Sequence, residues 1–183
     1  MMKRRFAFSL AAFVLFLSAA LASSLAQVAP SATRRTVTLT AGATVSLFDP
    51  DYVSYGLGGV GAYVDLTLFH GIGVESEGRW QHIHEYQGIS QDNFLIGPRV
   101  QVHRIWRATP YAKALFGFSN MNFGDSVGTG RFTTMAFGGG ADIRLTRRLS
   151  LRAFDVEYQI WPDFLGTSLH PYGASAGIGY RIF

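Results

Sequence analysis

No cysteine occurs among the 183 residues, which excludes a disulfide framework, a thiolate zinc site, an iron–sulfur cluster and a cysteine nucleophile. Charge is scarce as well. Asp, Glu, Lys and Arg make up 15% of the chain, against about 25% in ordinary soluble domains. Beyond the first 35 residues no stretch carries a helical period, so strands must supply the fold. What is plentiful is apolar material: 48% hydrophobic residues, 14% aromatic ones, and 21 glycines besides. That much buryable surface rules out intrinsic disorder, and the length suits a single domain. A formal charge of +4 would raise nucleic acid as a partner, so the position of that charge must be read first.

The excess sits at the start. Lys3, Arg4 and Arg5 precede Phe6–Ala22, a run without one charge. Small residues follow, offering cleavage after Ala22 or Ala26. A basic head, an apolar centre and a small-residue site predict a secretory signal peptide over 1–26, and 17 apolar residues are short for a spanning helix. Cleavage after Ala26 leaves 157 of the 183 residues and takes the 16 basic residues to 13, against 12 acidic ones. The mature chain is nearly neutral, and nucleic acid is not expected as a partner.

After a polar leader, 27–35, apolar and polar residues alternate over eight segments within 36–183. The first sets Val37, Leu39, Ala41, Ala43, Val45 and Leu47 against Thr38, Thr40, Thr44 and Ser46. The last sets Tyr172, Ala174, Ala176, Ile178, Tyr180 and Ile182 against Gly173, Ser175, Gly177, Gly179 and Arg181. Such period-two runs are two-faced strands, and at about 10–13 residues they match the length that crosses a bilayer at a tilt. Tight links near Phe69–Gly71, Arg104–Ala108 and Thr146–Ser150 alternate with longer connections at Asp49–Tyr55, His84–Asp92, Asn120–Gly130 and Trp161–His170. Short turns at one end and longer loops at the other fit an outer-membrane barrel.

Alternation alone does not say which face points outward. A soluble barrel buries its apolar face, whereas a membrane barrel turns that face to lipid. Glycines crowd the polar face, as a narrow lumen requires, and aromatics of the apolar face gather toward strand ends: Trp80, Phe94, Phe118, Tyr158, Tyr172 and Tyr180. Both features, with the export signal, predict an all-β, eight-stranded antiparallel up-and-down transmembrane barrel. The stretch 138–159, GGGADIRLTRRLSLRAFDVEYQ, resembles the penultimate hairpin of OmpA/OmpX-like small outer-membrane barrels. The ending GIGYRIF resembles the aromatic-ended last strand that such proteins present as an assembly signal, here Tyr180 and Phe183, although Phe183 falls out of parity with Tyr180 and Ile182. The resemblance implies the cell outer membrane as location, its lipid as surroundings and the barrel-assembly machinery as a partner. No peptidoglycan-binding domain follows, and a wall-anchoring role is not expected.

In this register Asp65, Glu75, Glu77, Asp142, Asp155 and Glu157 point into the lumen with Arg79, Arg99, Lys113, Arg144 and Arg181, and His103 lies nearby. Eight strands leave room for side chains or one small ligand, and buried charges must pair. An ion-pair plug is expected; a gated path for small solutes is the alternative. Catalytic signals are weak. His82 and His84 share a strand face at the loop rim, but a third metal ligand and an HExxH motif are lacking. Ser168, His170 and Asp163 are the nearest approach to a lipid-hydrolase triad, without its spacing. The Gly58–Gly61 and Gly138–Gly140 runs precede no helix and read as strand glycines, not phosphate cradles. The expectation is a non-enzymatic barrel with a structural or surface-interaction role and neither metal nor cofactor. A narrow channel comes second and a lipid-modifying barrel enzyme third.

Overall fold

The computed structural model describes residues 37–51, 56–82, 89–123, 128–164 and 166–183. The expected signal peptide, its cleavage sites, the leader and His84 lie outside the described residues. The two-faced segments form β1 (Thr38–Asp49), β2 (Leu57–Phe69), β3 (Ile72–His82), β4 (Ile89–Gln101), β5 (Ala108–Phe123), β6 (Thr129–Arg144), β7 (Leu149–Phe164), β8 (Thr167–Leu169) and β9 (Tyr172–Arg181). Strands β1 to β7 pair antiparallel in sequence, β7 pairs with β9, and β9 returns to β1 through Ala43–Ile178 and its neighbours. The three-residue β8 pairs with the far end of β7, so eight strands make the closed wall. Closure leaves no open sheet edge, the condition for a sheet to stand in hydrocarbon.

The tight links are local chemistry. His70 and Gly71 connect β2 to β3 with φ of 53° and 78°, the two positive values that a type I′ hairpin needs. Between β6 and β7, Thr146 Oγ1 accepts from the backbone N–H of Arg148 (3.2 Å) and Leu149 (2.9 Å). At the opposite end the ladders run further than composition suggests. β4 already begins at Ile89, β5 and β6 pair out to Asn122–Thr129, and β7 continues to Phe164. Residues 89–92, 120–123, 129–130, 161–164 and 167–169, all within the expected connections, are therefore strand, because cross-strand hydrogen bonds and inward apolar residues outweigh the Gly, Asn and Asp content. Strands β5, β6 and β7 reach 16 residues each. At about 3.3 Å per residue they outrun an apolar band roughly 25 Å tall, so the long hairpins stand clear of the membrane.

Exposure decides the faces. Leu47 is 73% exposed, Val45 63% and Ile96 57%, while Glu75 and Arg152 are at 0%. Apolar side chains outside and charges inside is the membrane arrangement, opposite to a soluble barrel.

Candidate functional site

The lumen is filled in layers, each set by inward positions of neighbouring strands. Near the loop end β5, β7 and β8 turn Met121, Trp161, Phe164 and Leu169 inward as an apolar cluster, with Phe132 of β6 packed against it. Trp161 is fully buried, stacks on Phe132 at 6.0 Å, and donates its Nε1–H to Gln159 Oε1 at 2.9 Å. Beneath lies an amide layer in which Gln81, Gln91 and Asn93 bond to one another and Gln159 donates to Glu157 Oε1 at 2.7 Å. The charges come next.

Lys113 Nζ stands among four carboxylates: Asp155 at 2.7 Å, Glu77 at 2.9 Å, Glu157 at 3.2 Å and Glu75 at 3.3 Å. Gly138 lies beside the Lys113 stem and lets β7 approach closely, since a Cβ there would sit 2.5 Å from the backbone oxygen of Val156. Arg79 pairs with Glu77 and, at 3.1 Å, with Glu157, and its guanidinium lies 4.2 Å over the Phe48 ring. Arg99 pairs with Asp65, Glu75 (3.2 Å) and Asp142 (2.5 Å). Arg152 pairs with Glu75 (2.7 Å), Asp155 (3.3 Å) and Asp142 (3.5 Å), lying 3.6 Å over the Tyr63 ring. Along the wall, like charges are direct neighbours, Asp65 beside Glu75 and Arg99 beside Lys113. Such neighbours repel. The pairs across the lumen offset that repulsion.

The structure corrects two placements and adds one residue that the alternation did not place. Arg144 and Arg181 are not in this network: Arg144 ends β6 exposed and Arg181 ends β9, both at the short-turn mouth. Alternation along a strand reads a face and carries no depth. His103 stands exposed beyond β4. Arg152, which shares parity with the lipid-facing Phe154, points inward and is fully buried. The β7–β9 ladder is irregular between Arg152 and Asp155, and the β6–β7 ladder between Ala141 and Asp142; this bulge lets Arg152 and Asp155 face the same way. The remaining predicted lumen residues, Asp65, Glu75, Glu77, Arg79, Arg99, Lys113, Asp142, Asp155 and Glu157, are brought together.

The outer face carries the aromatics. Trp80, Phe94 and Phe118 form a row with centroids 5.9 and 5.6 Å apart, and Arg131 lies 4.3 Å over Phe118. Tyr172 donates to Asp49 Oδ2 at 3.0 Å, and Tyr158 OH meets His170 Nδ1 at 2.8 Å. Tyr180 lies at the opposite end, where its hydroxyl accepts from Arg148 at 3.1 Å. Trp106, 84% exposed in the β4–β5 turn, is an aromatic that the strand pattern passed over. At the C-terminus Phe183 O accepts from Leu39 N–H at 3.2 Å, which continues the β9–β1 pairing past Arg181.

No catalytic set emerges among the described residues from the motifs singled out. Ser168 donates to Pro162 O while His170 engages Tyr158. His82 is exposed beside Trp80 in a lipid-facing groove. Glu75, Glu77 and Asp155 bring ligand atoms within 4.8 Å of one another, a spacing fit for a cation. The cation placed there is the Lys113 ammonium.

Known proteins repeat this architecture. Neisserial surface protein A superposes with a TM-score of 0.64 at 10% identity, over 79% of this chain and 96% of that one. OprG from Pseudomonas aeruginosa gives 0.59 at 11% identity, over 81% and 97%. The N-terminal β-barrel domain of OprF from the same organism gives 0.57 at 12%, over 80% and 100%. At these identities the likeness shows the fold alone. No curated protein matches the sequence. The model of the outer membrane protein beta-barrel domain matches residues 10–181. With nearly the whole chain inside that match, the protein belongs to the outer-membrane β-barrel family and resides in the outer membrane.

Proposed function

We propose that this barrel is non-enzymatic, with a closed lumen and a structural or surface-interaction role. The observation that carries this reading is the continuous fill. From Trp161 through the amides to Arg99 and Asp65, every inward layer is occupied by side chains bonded to the next. A solute would have to separate several buried ion pairs at once, and each separation leaves uncompensated charge in a dry interior. The lipid-facing aromatics support the outer-membrane lipid as surroundings. The aromatic-ended β9, paired with β1 through Phe183, supports delivery by the barrel-assembly machinery. Planar-bilayer recording on the wild-type barrel tests the closed lumen. Silence or rare flickers are expected. A large, steady wild-type current overturns the plug and establishes the narrow channel instead.

A further inference from the structure

The short-turn mouth carries a concentration of charge that neither the lumen nor the lipid belt uses. Arg104, Arg107, Arg144, Arg147, Arg148 and Arg181 stand there, all exposed except the half-buried Arg181. None of the six forms an ion pair among the described residues. The acids outside the lumen whose side chains are described, Asp49, Asp51 and Asp92, all belong to the loop end. Arrangement makes the excess costlier. Arg144 N–H bonds to Arg107 O at 3.0 Å and Arg181 N–H to Arg148 O at 2.7 Å, so like charges are neighbours in two places. Arg181 and Arg104 both act on Arg144 by charge repulsion. Like charges set opposite one another destabilise a sheet. A bound anion would relieve that cost.

The side chains between the arginines say which anion. Ile105 is 66% exposed, Trp106 84%, Leu145 54% and Ile182 53%, and the Arg107 guanidinium lies 5.5 Å from the Trp106 ring. Arg148 is tied to the hydroxyl of lipid-facing Tyr180. A soluble anion gains nothing from this apolar rim, whereas a lipid offers phosphate and hydrocarbon at the same height. Short turns face the periplasm in barrels of this kind. We propose that this arginine collar binds the phosphate headgroups of anionic phospholipid in the periplasmic leaflet.

The test counts lipid adducts on the purified full barrel by native mass spectrometry, with phosphatidylglycerol, phosphatidylcholine or inorganic phosphate added. Wild type should retain phosphatidylglycerol over phosphatidylcholine. At about fivefold per arginine near an anionic surface, the R104Q/R144Q/R148Q variant should lose on the order of a hundredfold in apparent affinity. R131Q, at the loop end, should retain lipid as wild type does. Inorganic phosphate should displace no more lipid than chloride at matched ionic strength. Equal retention of the two lipids, or unchanged phosphatidylglycerol binding by the triple variant, overturns the proposal. So does selective displacement by phosphate, which would mark a soluble-anion site. Folding is followed by heat-modifiable gel mobility; if the triple variant lacks the folded band, R104Q and R144Q singly should each show the fivefold loss, and unchanged binding in both is equally fatal. Because conductance plays no part, failure here leaves the closed-lumen reading to its own experiment.

Discussion

Replacing Lys113 by Met keeps most of the unbranched stem beside Gly138 and deletes the charge that four carboxylates share. Glu77 and Glu157 would still meet Arg79, Asp155 would still meet Arg152, and Glu75 would keep both Arg99 and Arg152. No carboxylate is orphaned, so the cost arises from repulsion among acids held close together by the wall. Breaking a buried pair costs about 3–5 kcal/mol, and the retained arginines place Lys113→Met near the lower figure, about 3 kcal/mol. Neutralising the closest acid should restore part of the loss. Lys113→Met with Asp155→Asn is therefore expected to be more stable than Lys113→Met alone, with a coupling of about 0.5–3 kcal/mol. Urea unfolding in lipid vesicles, followed by tryptophan fluorescence and by gel mobility of unheated samples, reads both values. If Lys113→Met falls within about 1 kcal/mol of wild type, or if Asp155→Asn adds its full cost on top, shared charge does not hold the lumen together.

The three tryptophans sit in three environments that quenching separates. In single-tryptophan variants, brominated acyl chains should quench Trp80, acrylamide should reach Trp106, and Trp161 should resist both; quenching of Trp161 by acrylamide to the level of Trp106 would mean that the loop-end cluster is open. The network should also respond asymmetrically to loss of one partner. Asp65 meets Arg99 alone among the ion pairs, whereas Arg99 serves Asp65, Glu75 and Asp142. Arg99→Met should thus cost at least about 3 kcal/mol in urea unfolding and Asp65→Asn clearly less, and equal losses would refute the shared-cation picture.

Much of the fold was legible because a closed sheet repeats one simple pattern. The period-two runs placed every wall strand, and His70-Gly71 marked its own turn. Three kinds of information were not in that pattern. Depth was missing: parity put Arg144 and Arg181 on the inward face, but only the ladder shows that they stand at the mouth. The loop end was missing too, because Pro162 and the glycines nearby read as loop. In the fold, Trp161 finds Met121, Phe132, Phe164 and Leu169, and that packing carries β7 onward. The amide layer of Gln81, Gln91, Asn93 and Gln159 drew no attention because uncharged polar residues on a polar face carry no distinctive signal.

Arg152 is the instructive omission, because the means of placing it were in the sequence. Counting by twos from Phe154 turns Arg152 toward lipid in the body of β7. An arginine on the lipid face costs about 2–4 kcal/mol at mid-membrane, so that register contradicts itself energetically. One extra residue between Arg152 and Asp155 removes the contradiction, and the irregular ladder there is that residue. The bulge changes the charge count as well as the geometry. With Arg144 and Arg181 at the mouth and Arg152 inside, six carboxylates share four cations, where the parity reading had six with five. Each of the six still touches at least one cation, and Lys113 alone touches four. The lumen is therefore held by sharing of cations rather than by one-to-one pairing, which makes each cation worth more to the barrel than any single acid that it meets.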